Sequence, residues 1–401
     1  MNLMKQLFLI IALLSCSSWQ ARPTPPAKPA VPVAAVVARA EAQFLAYCRH
    51  YPDSTQHPRS TTEDGRILLT DSRNWTSGFF AGSLWYLARF SGQPQWPRRA
   101  AAWTETLEAE KNVTTTHDLG FILHNSYGQG YARTKNPKYR AVLLQAAASL
   151  ARRFNPAVGA IRSWDHHADR WAYPVIVDNL MNLELLFAAT RLSGDTTYAH
   201  IAKTHATTDL KYRFRANYST FHVLNFDPAT GKLLTAATHQ GYADNSCWAR
   251  GQAWAIYGYT MVYRETKDPK FLTAAMRAAD YFIQQTNQIP DRIPYWDFNA
   301  PDIPNAPRDA SAAAAAASGL LELSKYVPRK NPYFGAAAAI LTSLSTPQYL
   351  AAAGTNNFFL LKHSTGNKPA NSEVDAPLVY ADYYFLEALW RYQNYARLTL
   401  N

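Results

Sequence analysis

The segment Thr266-Lys267-Asp268-Pro269-Lys270-Phe271 decides the fold, because four other segments of the chain resemble it. Each ends one helical pattern with Gly, Lys or Arg and places an aromatic residue just inside the next pattern. These features predict the short turn of a helical hairpin, with the aromatic side chain packed back on the hairpin. The other four are SGQPQW ending at Trp96, TKNPKY at Tyr139, SGDTTY at Tyr198 and RKNPYF at Phe334.

On both sides of these turns the apolar residues follow a helical period, which predicts twelve helices. Short turns and long loops alternate between the helices, so the twelve helices pair into six hairpins. The aromatic residues of the turns are unevenly spaced, which argues against a solenoid of fixed period. No sheet of several strands is predicted, although short strand pairs could lie in the loops. The predicted helices span 34–49, 77–91, 95–111, 118–133, 137–153, 178–193, 195–210, 248–266, 268–288, 309–326, 331–347 and 378–396.

Six hairpins arranged in a ring give an all-α fold, the (α/α)6 barrel, and an open superhelix of hairpins is the alternative. In the barrel every long loop opens at the same end, where the N-termini of the inner helices converge. Converging N-termini supply unpaired N–H groups and positive potential, which favour an anionic ligand. The long loops are 50–76, 154–177, 211–247, 289–308 and 348–377.

The charge balance also favours an anionic partner. The chain has 40 Lys and Arg against 29 Asp and Glu, a formal net charge of +11. The basic residues are scattered and form no block, so we expect a small acidic substrate and no nucleic acid. With 48% hydrophobic and 17% charged residues, the composition excludes a disordered protein.

The N-terminus predicts export. Residues 1–15 read as a signal peptide, and Leu13-Leu14-Ser15-Cys16 resembles the lipobox of bacterial lipoproteins, with an ordinary cleaved signal as the alternative. The Pro-rich stretch 16–33 reads as a tether, and 34–401 as the catalytic barrel domain. We therefore expect an exported bacterial protein, periplasmic or at the outer membrane, lipid-anchored at Cys16.

Two aspartates, Asp118 and Asp178, each stand at the start of an inner helix. Either one alone would be read as a helix cap. Two at corresponding positions, facing one narrow mouth, predict an acid/base pair in which like-charge proximity raises the pKa of one carboxyl. Helix dipoles oppose that rise, and the sequence leaves the balance between the two effects open.

The residues around this pair predict a sugar-binding cavity. Trp75, Trp164, Trp248 and Trp254 are candidate platforms for pyranose rings, beside His222, Gln240 and the candidate carboxylate clamp Arg250. Ser364 lies in the polar segment 362–375, which would line the leaving-group side or form a solvated loop. His222 and His239 lack metal-site spacing, and Cys16, Cys48 and Cys247 cannot form a metal cage, so we expect no metal and no cofactor.

Several long motifs carry a resemblance through most of the chain. They are NWTSGFFAG, HDLGF, VDNLMNL, FHVLNFDP, HQGYADNSCWARGQAWAIYGY and YADYYFLEAL. On these motifs the sequence resembles glycoside hydrolase family 88, the unsaturated glucuronyl hydrolases. The resemblance implies an (α/α)6 barrel, in agreement with the helix pattern.

The resemblance further implies removal of a 4,5-unsaturated uronic acid from the non-reducing end of lyase-generated oligosaccharides, such as glycosaminoglycan disaccharides, by hydration of the double bond. Asp178 matches the family's general acid/base and Asp118 its second essential carboxylate. The alternatives are an unsaturated rhamnogalacturonyl hydrolase acting on pectin fragments, a polysaccharide lyase, and a glycan-binding lipoprotein without activity. The sequence predicts no oligomeric state. Positions that match the family's substrate contacts are Trp75, His222, Gln240, Trp248, Arg250 and Trp254.

Overall fold

The computed structural model describes residues 31–328 and 331–399. The predicted signal peptide, Cys16 and most of the predicted tether lie outside these residues. The part of the tether that is described joins the barrel, because Val31 is buried and the first helix begins at Val33.

Within the described residues the helices match the predicted pattern closely. The predicted helix 95–111 is shorter, since it ends at Glu105 and a separate 3-10 turn covers Glu108–Asn112. The α-helices are α1 Val33–His50, α2 Ser77–Ser91, α3 Gln95–Glu105, α4 Gln129–Thr134, α5 Pro137–Ala151, α6 Asn179–Ser193, α7 Thr197–Tyr212, α8 Ala249–Thr266, α9 Pro269–Thr286, α10 Ala310–Leu323, α11 Tyr333–Leu344 and α12 Val379–Thr399.

The predicted helix 118–133 differs in type, because Gly120–Gly128 forms a π-helix that runs directly into α4. At its start the N–H of Phe121, one of the first N–H groups of the helix and so without a partner inside it, donates to Oδ1 of Asn182 on α6 (2.8 Å). Gly120 allows this approach, since a Cβ there would lie 2.6 Å from the Cα of Asn182. The π-helix therefore ties the segment after Asp118 to the segment after Asp178.

The even-numbered helices form a closed inner ring. The π-helix with α4 packs against α2 and α6, α8 lies between α6 and α10, and α12 contacts both α10 and α2. Every residue of α10 is buried, as are residues 249–262 of α8. The odd-numbered helices pack outside this ring and keep one exposed face. The closed ring is that of the predicted (α/α)6 barrel and excludes the open superhelix.

The short turns join the outer helices to the inner ones as the sequence predicts. Asn136 and Asp268 cap α5 and α9 by accepting hydrogen bonds from the N–H groups of Lys138 and Lys270. Trp96, Tyr139 and Phe271 are buried, whereas Tyr198 and Phe334 are half-buried. In the last turn it is the neighbouring Tyr333 that is buried, and Phe334 stacks on Tyr392.

Three small antiparallel sheets lie in the long loops. β1 His57–Thr61 pairs with β2 Ile67–Thr70, and β3 Phe154–Asn155 pairs with β4 Ala160–Ile161. In the third sheet β6 Val223–Phe226 lies between β5 Pro174–Ile176 and β7 Leu233–Ala237. Ile176 pairs with Val223 at the end of these two strands. Asp178 comes two residues after Ile176 and His222 directly before Val223, so the two residues lie side by side.

Candidate active site

A cavity of about 410 Å³ lies at the barrel end where the long loops meet. Four of the five predicted long loops contribute to its lining, together with the segment that precedes the π-helix. The predicted site residues among its lining are Trp75, Asp118, Trp164, Asp178, Gln240 and Arg250.

Asp178 precedes α6 and does not act as its cap, because its side chain accepts no hydrogen bond from the helix. Its Oδ2 atom is buried and has no hydrogen-bond partner in the part of the chain that the structure describes. Burial raises the pKa of Asp178 to about 7, the positive charge of Arg250 opposes the rise, and the charge of Asp118 adds to it. Desolvation therefore outweighs like-charge repulsion, and Asp178 can carry a proton near neutral pH.

His222 faces Asp178, with its Nε2 atom 3.7 Å from Oδ2 of the aspartate. The other ring nitrogen, Nδ1, accepts hydrogen bonds from the backbone N–H groups of His239 (3.2 Å) and Gln240 (3.1 Å). Burial lowers the pKa of His222 well below its usual range. The ring is therefore neutral with its proton on Nε2, and it presents an N–H to the carboxyl of Asp178.

Asp118 has a similar partner. Oδ1 lies 3.3 Å from Nε2 of His117, and Oδ2 accepts a hydrogen bond from the hydroxyl of Thr116 (2.7 Å). The side-chain amide of Asn182 lies 3.4 Å from Nδ1 of His117 and makes that nitrogen an acceptor, so Nε2 carries the proton. Burial lowers the pKa of His117, which keeps this ring neutral as well. The cavity thus presents two carboxyl groups, each facing a neutral imidazole N–H.

Arg250 is fully buried and its terminal nitrogens are already in use. Nη1 donates to Asp309 (2.7 Å) and to the carbonyl of Thr365 (2.6 Å), and Nη2 donates to the carbonyl of Gly366 (2.5 Å). Gln240 donates to the same Gly366 carbonyl (3.0 Å). Arg250 brings positive charge to the cavity wall while its hydrogen bonds hold the segment at 365–366.

Two predicted binding residues lie behind the lining. His222 does not line the cavity itself but faces Asp178, which does. Trp248 packs between His222 and Arg250, and its ring centre lies 4.4 Å from the ring centre of His222 and 4.5 Å from the guanidinium of Arg250. Trp248 is only 3% exposed. The cavity-facing tryptophans are Trp75, which packs on Tyr380, and Trp164, which stacks on His166.

Trp254 and Ser364 do not reach the cavity, and their predicted substrate contact is not supported by this arrangement. Trp254 follows Arg250 by one turn of α8, so it lies about 6 Å deeper in the barrel, where it packs on Phe121 and Tyr384. Ser364 is fully buried, and its backbone pairs with that of Ala376.

Sequence reasoning did not single out Arg59, His166 or Tyr380, which also line the cavity. Arg59 lies on a short strand with no motif around it. Tyr380 is one of three buried tyrosines in YADYYFLEAL, and only the structure shows that it is the one against the cavity. His166 follows the predicted platform Trp164 by two residues, and this proximity is the one signal that could have found it.

A larger cavity of about 550 Å³ lies among His124, Glu184 and Arg264. Its main charges neutralise one another, since Arg264 donates to Glu184, Glu265 and Glu322. The described residues contain no group of three or more His, Cys, Asp or Glu placed to hold a metal ion. Nor does any helix among them have the length and apolar character to cross a membrane.

Because the main charges of the larger cavity neutralise one another, the smaller cavity with the two aspartates is the candidate active site.

Comparison with known proteins identifies the family. No family model matches the chain. It is, however, 49% identical over 348 residues to an unsaturated glucuronyl hydrolase of Formosa agariphila, an alignment that covers 86% of this chain and 87% of that protein. The chain belongs to the unsaturated glucuronyl hydrolase family.

Solved structures of unsaturated glucuronyl hydrolases share the fold. The crystal structure of one that is specific for heparin superposes with a TM-score of 0.89 at 45% identity, over 91% of this chain and 98% of that one. An aspartate-to-asparagine variant of the Streptococcus agalactiae enzyme, in complex with dGlcA-GalNAc6S, superposes with a TM-score of 0.77 at 29% identity, over 92% and 94% of the two chains. The predicted fold class is confirmed, and like its relatives the protein is a glycosidase.

Proposed function

We propose that this protein releases 4,5-unsaturated uronic acid from the non-reducing end of lyase-generated glycosaminoglycan oligosaccharides by hydrating the C4=C5 bond. The observation that carries the proposal is the buried carboxyl of Asp178, which has a pKa of about 7 and lies in one cavity with Asp118. A carboxylic acid that keeps its proton near neutral pH can protonate a vinyl ether. A 4,5-unsaturated uronic acid contains such a vinyl ether, and we infer this substrate class from the family to which the chain belongs.

In the first step Asp178 donates its proton to C4, and the electron pair of the double bond forms the new C4–H bond. The positive charge that develops at C5 is shared with the ring oxygen. The Nε2–H of His222, 3.7 Å from Oδ2, is placed to approach the carboxylate that forms, because such hydrogen bonds tighten once a substrate is bound. A neutral imidazole can donate this hydrogen bond without adding a competing charge.

In the second step a water molecule adds to C5 and returns a proton to the carboxylate of Asp178. Asp118, held by Thr116 and facing His117, is the second carboxylate and orients the water or the sugar hydroxyls. The resulting hemiketal opens, and the hemiacetal left at C1 then releases the remaining sugar as an alcohol. One water is consumed, and Asp178 ends the cycle protonated.

Substrate binding is assigned to the side chains around the pair. Trp75 and Trp164 offer flat apolar faces to pyranose rings, and Gln240 offers an amide. Arg250 attracts the uronate carboxylate by its charge, since its terminal nitrogens already donate to the protein.

A panel of unsaturated disaccharides tests the proposal. It contains heparin-type and chondroitin-type disaccharides, with and without sulfate, beside pectin-derived ones, and turnover is followed by the loss of ultraviolet absorbance of the C4=C5 bond. The 45% identity to the heparin-specific structure favours heparin-type members. Turnover of the pectin-derived members alone would identify a rhamnogalacturonyl hydrolase. Binding without turnover of any member would identify a glycan-binding protein.

We further propose that the protein is exported and carries a lipid at Cys16. The support is the sequence alone, since residues 1–15 and Cys16 lie outside the described residues. Metabolic labelling with a fatty acid tests this: we expect label in the membrane fraction of the wild type and none in a Cys16→Ser variant. Release of unlabelled protein by both would indicate an ordinary cleaved signal.

A further inference from the structure

The segment Ser364–Ala376, called the strap below, forms one wall of the active-site cavity. Its ends pair with each other through two backbone hydrogen bonds, from Ser364 N to Ala376 O (3.0 Å) and from Ala376 N to Ser364 O (2.9 Å). Residues 364–366 are buried, whereas 369–371 are exposed, so the strap runs from the interior of the barrel to the mouth. The strap residues that line the cavity are Gly366, Asn367, Ala370, Ser372 and Glu373.

The inner end of the strap is fixed by Arg250 and Gln240, which donate to the carbonyls of Thr365 and Gly366. The mouth side is fixed by a different group. Glu373 accepts two hydrogen bonds from Arg59, at 2.6 Å from Nε and 3.2 Å from Nη2. The Glu373 side chain is 7% exposed and that of Arg59 25%, so this bidentate pair is shielded from most of the solvent.

Both residues of the Arg59–Glu373 pair lie at irregular positions of the backbone. In the hairpin of β1 and β2, Pro58 pairs with Leu69 and Ser60 with Leu68, so Arg59 is the extra residue of a β-bulge. A bulge redirects its side chain, and bulges are frequent beside active sites. On the strap, Glu373 has a φ of +54°, a conformation that costs free energy for a residue other than glycine.

The Arg59–Glu373 pair also contacts the cavity wall. A Cβ on Gly366 would lie 2.5 Å from Oε2 of Glu373, so the carboxylate packs against the backbone of a lining residue. The hydroxyl of Ser60, next to Arg59, donates to the carbonyl of Pro377 just beyond the strap (2.8 Å). The hairpin therefore holds the strap at Glu373 and at its end.

We propose that Arg59 and Glu373 are positioning residues, which hold the strap in place as a wall of the substrate-binding cavity. This rests on the proposed function. Asp178 and His222 lie on other elements, so we expect their geometry to be kept when the pair is broken. Loss of the pair should therefore weaken substrate binding and leave the chemical step intact.

Kinetics on an unsaturated disaccharide that the wild type turns over test the proposal. We expect Arg59→Ala and Glu373→Gln each to raise KM about tenfold with kcat within about threefold, and the double variant to be no worse than either single one. Arg59→Lys, which cannot make the bidentate contact, should lie between wild type and Arg59→Ala. Exchanging the charges, with Arg59→Glu and Glu373→Arg together, should recover part of the loss.

The matched control is Arg66→Ala. Arg66 lies directly before the same hairpin's second strand and pairs with Asp64 at 2.7 Å, but its side chain is 81% exposed and does not line the cavity. We expect this variant to match the wild type. An unchanged KM in Arg59→Ala, additive effects in the double variant, or an equal fall of kcat would overturn the proposal.

Amide hydrogen exchange of the strap gives a readout that does not depend on activity. We expect faster exchange across residues 364–376 in Arg59→Ala and not in Arg66→Ala. Unchanged exchange in Arg59→Ala would contradict the positioning role even if the wild-type enzyme is active. Faster exchange in a protein that turns over no unsaturated disaccharide would contradict the proposed function and leave the positioning role standing.

Discussion

His222 directs an N–H at Asp178 because the backbone N–H groups of His239 and Gln240 occupy its other ring nitrogen. The pairing of Ile176 with Val223 in the neighbouring strands brings the two side chains together. In the proposed mechanism, proton donation creates a negative charge on Asp178, and the imidazole N–H is the group placed to stabilise it. The loop 238–240 would then contribute to catalysis through the orientation of His222.

The first prediction concerns pH. Asp178 must be protonated to act as the acid, and burial raises its pKa to about 7. We expect kcat/KM to be level below about pH 7 and to fall tenfold per pH unit above it, as for loss of a single proton. Initial rates on an unsaturated disaccharide between pH 5 and 9 check this. A profile that stays flat to pH 9 would show that the essential acid is another group.

The second prediction concerns the stability of Asp178→Asn. Because the pKa of Asp178 is raised from 3.8 to about 7 on folding, the folded state disfavours the charged form. The resulting destabilisation is absent below about pH 4, grows up to about pH 7 and is constant above, at about 4 kcal/mol at most.

Asparagine carries no such charge, so we expect Asp178→Asn to gain thermal stability relative to the wild type as the pH rises from 4 to 7. Melting temperatures of both proteins across this range measure the effect. Asp302 is exposed and does not line the cavity, so Asp302→Asn is the control and should show no such trend. Parallel curves for Asp178→Asn and the wild type would mean that this carboxyl is not buried as described.

The sequence predicted the fold in nearly all respects because the six hairpins leave local signals. Asn136 and Asp268 cap their helices with a proline in the next position, and this pattern is visible in the printed letters. The π-helix could not be predicted. The segment has the pattern of an ordinary helix, and its link to α6 runs through the amide of Asn182, which is distant in sequence and reaches Phe121 only after the ring of helices has closed.

The candidate site was predicted unevenly for the same reason. Asp118 and Asp178 stand at helix starts and could be paired by position, but the tryptophans could not be ranked by exposure. Trp254 is a turn below Arg250 in the core, whereas Trp164 faces the cavity. Arg59 reaches the cavity through a β-bulge, a feature with no signature in this segment.

The third prediction contrasts these two tryptophans. Trp164→Leu removes a cavity-facing ring, so we expect KM to rise about tenfold with a smaller change in kcat. Trp254→Leu leaves space in the core beside Phe121 and Tyr384, so we expect lower thermal stability, with KM within about twofold of wild type. Kinetics and melting curves of both variants check this. The opposite assignment of the two effects would contradict the described cavity lining.

The fourth prediction tests the imidazole beside the acid. His222→Leu removes the N–H that faces Asp178, and a hydrogen bond to a charged group contributes about 1.5–3 kcal/mol. We therefore expect kcat to fall about 10- to 100-fold and the alkaline limb of the pH profile to move to higher pH, because the carboxylate is less stabilised. His222→Gln, which keeps a donor at the corresponding atom, should retain more activity. Equal activity in the wild type and His222→Leu would remove His222 from the proposed mechanism.

The most direct test of the central claim is the turnover of an unsaturated disaccharide by Asp178→Asn, followed through the absorbance of the C4=C5 bond, with Asp302→Asn as the matched control. General acid/base catalysis contributes about 10²- to 10⁴-fold. We predict that Asp178→Asn binds the disaccharide with near wild-type affinity and loses at least that factor in kcat, while Asp302→Asn keeps wild-type activity. A folded Asp178→Asn protein that consumes the double bond at the wild-type rate would contradict the account.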